Sequence, residues 1–147
     1  MKGLIAAHSG LRYIVLALLL IAIINALVNL KKENYLKKDK MINLFTMVFI
    51  HIQLLLGLVL YFVGPRVNFS NWIQGVENTT FFAVEHALMM VLAVILITLG
   101  RRKAEKQPLA SGKHKMILRY YGLGLILIFI AIPWPFLYTK LEGVGWF

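Results

Sequence analysis

Tyr13-Ile14-Val15-Leu16-Ala17-Leu18-Leu19-Leu20-Ile21-Ala22-Ile23-Ile24 is an unbroken apolar core inside a longer run from about Leu4 to Leu30. A hydrocarbon core is crossed by ~20 apolar residues in a helix, so this run is long enough to span. His8 and Arg12 interrupt its start, and no small-x-small cleavage site precedes Lys31, so the run is expected to remain in the mature chain rather than leave as a signal peptide. Three further apolar runs follow, and helices are expected at about 4–30, 41–63, 80–100 and 116–133. With 60% hydrophobic residues and a mean hydropathy of +0.76, the chain is too apolar for the surface of a soluble domain. The runs occupy most of its 147 residues, so a single transmembrane domain over 1–147 is expected.

The chain has no cysteine, which excludes disulfides, thiolate-held zinc, iron–sulfur clusters and haem attached through Cys-x-x-Cys-His. A net charge of +10 is compatible with nucleic acid or with a membrane protein, and position decides between them. Twelve of the 16 Lys and Arg residues fall in Lys31 to Lys40 and Arg101 to Arg119, whereas Lys2, Arg66 and Lys140 are the ones outside the membrane on the other side. The positive-inside rule puts both basic connectors in the cytoplasm and both termini in the periplasm, which leaves no charge for nucleic acid to explain. The expected fold is therefore an all-α, up-down-up-down four-helix transmembrane bundle, multi-pass, with helices one and three on one diagonal and two and four on the other.

The helix ends carry their own signals. Gly64-Pro65 should stop helix two, since proline lacks an amide donor and disfavours helical geometry in the residue before it. Phe69, Trp72 and Ile73 suggest that the following loop lies at headgroup level, and Trp134, Tyr138 and Trp146 mark the exit of helix four there.

Val84-Glu85-His86-Ala87 places a carboxylate and an imidazole in an otherwise apolar run, and intramembrane ionisable groups are functional candidates by default. His8 and Arg12, four apart on helix one, share a face and are suitable partners. At about 1.5 Å per residue, His8 and His86 lie about 6 Å and about 9 Å inside the outer ends of parallel, diagonal helices. Two level histidines across a bundle can ligate a b-type haem axially. His51 is about 18 Å deep. It suits that haem less well, though it could hydrogen-bond a quinone, relay protons or replace one ligand if the helix boundaries shift. His114, among lysines, reads as solvated. Met47, Met89 and Met90 read as core filling rather than as iron ligands.

Arg12 and Glu85 have two open roles. They can cancel each other as an ion pair, or Arg12 can neutralise a haem propionate while Glu85 handles protons or orients a ligand. Gly10, Gly57, Gly122 and Gly124 either leave room for a flat ring or allow close helix packing.

His8-Ser9-Gly10-Leu11-Arg12-Tyr13, the stretch 49–61 (FIHIQLLLGLVLY), Val84-Glu85-His86-Ala87-Leu88-Met89-Met90 and Ile132-Pro133-Trp134-Pro135-Phe136 resemble a family of small four-helix bacterial membrane proteins described as cytochrome b-like. The resemblance covers nearly the whole chain. It implies b-type haem, one or two per bundle, a place in respiratory electron transfer in the bacterial inner membrane, and functional positions at His8, Arg12, His51, Glu85 and His86.

The leading functional expectation is a haem protein that exchanges electrons with quinone or with a larger membrane redox complex, working in that complex or as a homo-oligomer. The rival is a haem-free accessory subunit whose polar residues fasten helices together. No nucleophile–base constellation, phosphate loop or zinc motif supports an independent enzyme such as a membrane oxidase. The charge asymmetry makes a direct prediction: membrane-impermeant thiol reagents applied from outside should label a cysteine placed in 68–78 and miss one placed in 103–113. The reverse pattern would invert the topology.

Overall fold

The computed structural model describes residues 1–67 and 77–136, and among these the chain is helix and connecting turn only. Helix α1 spans Lys2–Val28 and α2 spans Lys37–Val63. Helix α3 covers 77–105 and is built from an α-turn Glu77–Thr80, a π-helical segment Phe81–His86 and an α-helical part Ala87–Glu105. Helix α4 spans Ala110–Ala131. All four are long and apolar enough to cross a membrane.

The helices run further into the connectors than hydropathy predicts: α2 begins at Lys37 rather than 41, α3 continues to Glu105 rather than 100, and α4 starts at Ala110 rather than 116. Hydropathy marks the edge of the hydrocarbon, whereas a helix continues through Lys- and Arg-rich turns whose side chains reach water beyond that edge. At the other end proline sets the limits. Gly64 and Ile132, each just before a proline, have extended backbone (ψ 155° and 127°), and α2 and α4 stop there.

Helix α1 packs on α2 and α4, and α3 packs on the same two, so α1 faces α3 across the bundle, as does α2 with α4. Val15, Leu19, Ala22, Ile50, Ala93, Val94, Ile97, Ile117 and Ile128 form the buried core. The outward faces are just as apolar, with Ile14, Ile21, Leu27, Phe45, Leu55, Phe62, Leu88, Ile95, Ile126 and Phe129 all exposed. Exposed apolar surface on every helix suits lipid rather than water as the surrounding solvent.

Gly124 serves close packing between α3 and α4. A Cβ there would stand 2.7 and 2.8 Å from the side chain of the fully buried Ile97. Gly10 and Gly122 face open space and leave room for no neighbour in particular.

One sequence expectation about a side chain is corrected. His114 is 0% exposed, not solvated, because α4 begins early enough to turn it inward. Trp134 stands just past the end of α4, is 7% exposed and packs between Phe129 and Phe136 at centroid distances of 5.2 and 5.8 Å. Phe69, Trp72, Ile73, Tyr138 and Trp146 lie outside the described residues.

The packing at Gly124 predicts that Gly124→Ala destabilises the bundle by about 1–3 kcal/mol, the usual cost of overpacking. Gly122→Ala should be close to neutral. Thermal unfolding of both variants in the same detergent measures the difference, and equal midpoints would refute the packing role.

Candidate functional site

Near the end of the bundle where α2 and α4 stop, a cavity of about 170 Å³ lies between the helices. Its polar wall is His8, Ser9 and Arg12 from α1, Gln53 and Tyr61 from α2, Arg66 just beyond α2, and His86 from α3. Most of the remaining wall is aliphatic, including Val15, Ile50, Leu54, Val94 and Ile128, with Met90 also contributing.

His8 and His86 meet across the bundle diagonal with ring centroids 6.4 Å apart and planes at 72°. Their orientations have different causes. His86 lies in the π-helical segment, and its Nδ1 is 2.8 Å from the carbonyl oxygen of Ala131. In a continuing α-helix that carbonyl would accept from residue 135, but Pro135 has no N–H to give. The carbonyl can only accept, so Nδ1 carries the proton and Nε2 keeps its lone pair. The neighbouring vacancy is filled in the same way: Phe129 would pair with Pro133, and its carbonyl instead accepts the Trp134 indole N–H at 2.9 Å.

His8 is placed by α2. Gln53 donates to the His8 carbonyl at 2.8 Å, and Gly57 gives the ring its room, since a Cβ there would come within 3.1 Å of His8 Cε1. His8 Nδ1 is buried with no hydrogen-bond partner among the described residues, as is Gln53 Oε1. Tyr61 donates to the Ala83 carbonyl at 3.1 Å. In an ordinary α-helix that carbonyl would pair with the Ala87 N–H, which here turns to Val84.

The site carries positive charge. The Arg12 guanidinium lies 4.9 Å from the Tyr13 ring centre and 5.8 Å from that of Trp134, and Arg66 lies 5.0 Å from that of Phe82. No Asp or Glu is among the described residues lining the cavity. Glu85 is exposed and makes no ion pair among the described residues, so of the two open roles its ion pair with Arg12 is not formed. Successive helical residues point ~100° apart, and turning His86 inward turns Glu85 out.

His51 lies outside the cavity. Its Nδ1 donates to the Met47 carbonyl one turn back at 2.7 Å, and its Nε2 is 3.4 Å from the Thr98 hydroxyl, which itself donates to Val94 at 2.7 Å. With the His51 proton on Met47 and the Thr98 proton on Val94, His51 meets α3 by contact rather than by a hydrogen bond. Sequence reasoning passed over Arg66, read as loop, and gave no site role to Gln53 and Tyr61. A usable signal was present, because Gln53, Gly57, Leu60 or Tyr61, and Gly64 recur at helical spacing on one face of α2.

Two metal–nitrogen bonds of ~2 Å on opposite sides, with about 1 Å more from each nitrogen to its ring centre, bring two imidazole centroids to about 6 Å. The observed 6.4 Å meets that requirement. Among the described residues no group of three or more His, Cys, Asp or Glu could hold a metal ion by itself, whereas an iron already held in a macrocycle needs two axial ligands only. His8 and His86 are therefore the two imidazoles here that could serve together as donors to such an iron. In comparisons with known proteins, no family model matches the chain, and neither a curated protein nor a solved structure does.

The Ala131 contact predicts that His86 is a neutral Nδ1–H tautomer. Nitrogen-15 NMR of histidine-labelled protein should show a protonated Nδ1 and a bare Nε2 for this residue. A protonated Nε2 with a bare Nδ1 would contradict the assignment.

Proposed function

We propose that this membrane-spanning bundle carries a b-type haem between His8 and His86, and that it serves respiratory electron transfer in a bacterial inner membrane. Its exchange partner would be a quinone or a larger redox complex. The observation that supports the reading is the meeting of two imidazoles from diagonal helices at 6.4 Å, one of them with its tautomer set by a backbone carbonyl. The sequence resemblance to cytochrome b-like proteins points the same way.

Bound there, haem supplies reversible one-electron chemistry. The chain's own residues supply the rest. The Ala131 carbonyl holds His86 with Nε2 free, Gly57 keeps the space that the His8 ring needs, and Gln53 ties the His8 backbone to α2. Arg12 and Arg66 bring positive charge to a wall with no carboxylate among the described residues, which is the environment an anionic substituent on a ligand requires. The aliphatic remainder excludes water and lowers the local dielectric.

A second reading rests on cavity size. A volume of about 170 Å³ is close to that of a cavity known to accept a single benzene ring, roughly 150 Å³. A quinone head group would occupy it with Arg12, Arg66, Gln53 and Tyr61 near its oxygens. A haem seated there requires the surrounding side chains to move apart.

Absorption spectra of protein expressed with haem available test the proposal. The expected result is sharp reduced alpha and Soret bands, most of the low-spin signal lost in His8→Leu and in His86→Leu, and little change in His51→Leu. Haem that survives both cavity variants and disappears with His51→Leu would overturn the ligand assignment. A colourless protein that binds a quinone analogue would favour the second reading, and one that binds neither would favour a haem-free accessory subunit.

A further inference from the structure

Helices α2 and α3 form the loosest seam of the bundle. The seam closes at two places. Toward the basic connectors, His51 Nε2 stands 3.4 Å from the Thr98 hydroxyl, and at the cavity end the Tyr61 hydroxyl donates to the Ala83 carbonyl at 3.1 Å. These contacts show that the two helices run antiparallel. Leu58 and Val91 each lie about two turns from the His51–Thr98 contact, on the same stripes of their helices, so they come level between the two closures. Both line the cavity, and both are also open to the exterior, at 40% and 37% exposed. A side chain that borders a cavity and is this exposed stands at its mouth.

The depth of that mouth decides what can use it. Leu58 stands about 8 Å along the axis from the end of α2 at Val63. Its helical neighbours Leu55 and Val59, and Leu88 and Leu92 beside Val91, are exposed and apolar. A passage there opens onto acyl chains rather than water, so a ligand that takes it must be dissolved in the bilayer. Inside, a volume of about 170 Å³ takes a single ring rather than a branched head group. Arg12 and Arg66 are donors on the polar wall, with no carboxylate among the described residues that line it. That combination suits an apolar molecule with one polar end, a ring carrying acceptor oxygens.

We propose that the cavity opens sideways into the hydrocarbon between α2 and α3, and that a tailed quinone enters there, its ring against the polar wall and its tail passing out between Leu58 and Val91. This rests on the quinone reading of the cavity and adds to it the route and the kind of quinone. A tail left outside the window stays among lipid chains and along the apolar outer faces of α2 and α3, so a ring-sized cavity can serve a molecule far larger than itself.

Photolabelling of the unaltered full chain in phosphatidylcholine nanodiscs tests the route. The probe is a benzoquinone whose decyl tail ends in a diazirine, and the adducts that excess untagged decyl benzoquinone removes are mapped by mass spectrometry. They are expected on α2 and α3 around Leu58 and Val91. Competable adducts confined to α1 and α4, or to residues 64–67 at the end of the bundle, would overturn the window and leave the quinone reading standing. With no competable adduct anywhere, both fall. Two variants give an independent measurement. Val91→Trp, which fills the mouth, should lower competable labelling about tenfold. Ile95→Trp, one turn along α3 on the lipid face and outside the cavity lining, should leave it unchanged. If both variants label like the parent, the window is wrong. If Val91→Trp does not fold, the adduct map of the parent chain decides.

Discussion

Hydrocarbon offers no hydrogen bonds, so each polar group the chain carries into the bundle must find a partner inside it or stand where water or a ligand can reach. The exit of α4 shows how this constraint builds the candidate site. Pro133 and Pro135 remove two main-chain donors, and the carbonyls they leave behind, on Phe129 and Ala131, are taken by the Trp134 indole and the His86 imidazole. One vacancy secures the end of α4, and the other fixes a ring on α3. The π-helical segment acts in the same way, its Ala83 carbonyl accepting from the Tyr61 hydroxyl on α2. Backbone irregularity at this end of the molecule is thereby converted into contacts between helices.

Much of the architecture was legible because hydrophobicity reports what a membrane protein must do. Four apolar runs with short basic connectors predict four helices and their neighbour order, and both are found. The level meeting of His8 and His86 followed from counting residues along parallel helices. What could not be read was direction around each helix. Glu85 looked like a partner for Arg12, yet it shares a helix with an inward His86 one residue away and so turns outward. His51 has its Nδ1 held by a backbone carbonyl just as His86 has, but its direction around α2 leaves it outside the cavity. His114 looked solvated by its lysine neighbours, although burial is set by the start of α4 rather than by sequence company. Arg66 became part of the site only because the chain stops at Gly64-Pro65 and leaves it beside the cavity.

The two ends of the bundle differ in charge balance as well as in position. The cavity has two guanidinium groups and no lining carboxylate among the described residues, whereas the connector end sets Asp39 and Glu105 among its lysines and arginines. Asp39, 4% exposed, accepts from Asn25 Nδ2 and from the Leu36 backbone N–H, both at 2.8 Å, and so helps to start α2. At the connector end, two of the chain's few acids therefore serve structure.

Between Asn43 and Gln53, about 15 Å of α2, the interior is largely aliphatic, with Leu19, Ile50, Val94 and Ile97 in the core. In an energised membrane a slab of low dielectric takes most of the voltage, at about 2.3 kcal/mol per elementary charge per 100 mV. A charge driven from the cavity to the connector end must cross nearly all of it. Any charge transfer through the bundle between these two ends would accordingly be strongly coupled to membrane potential.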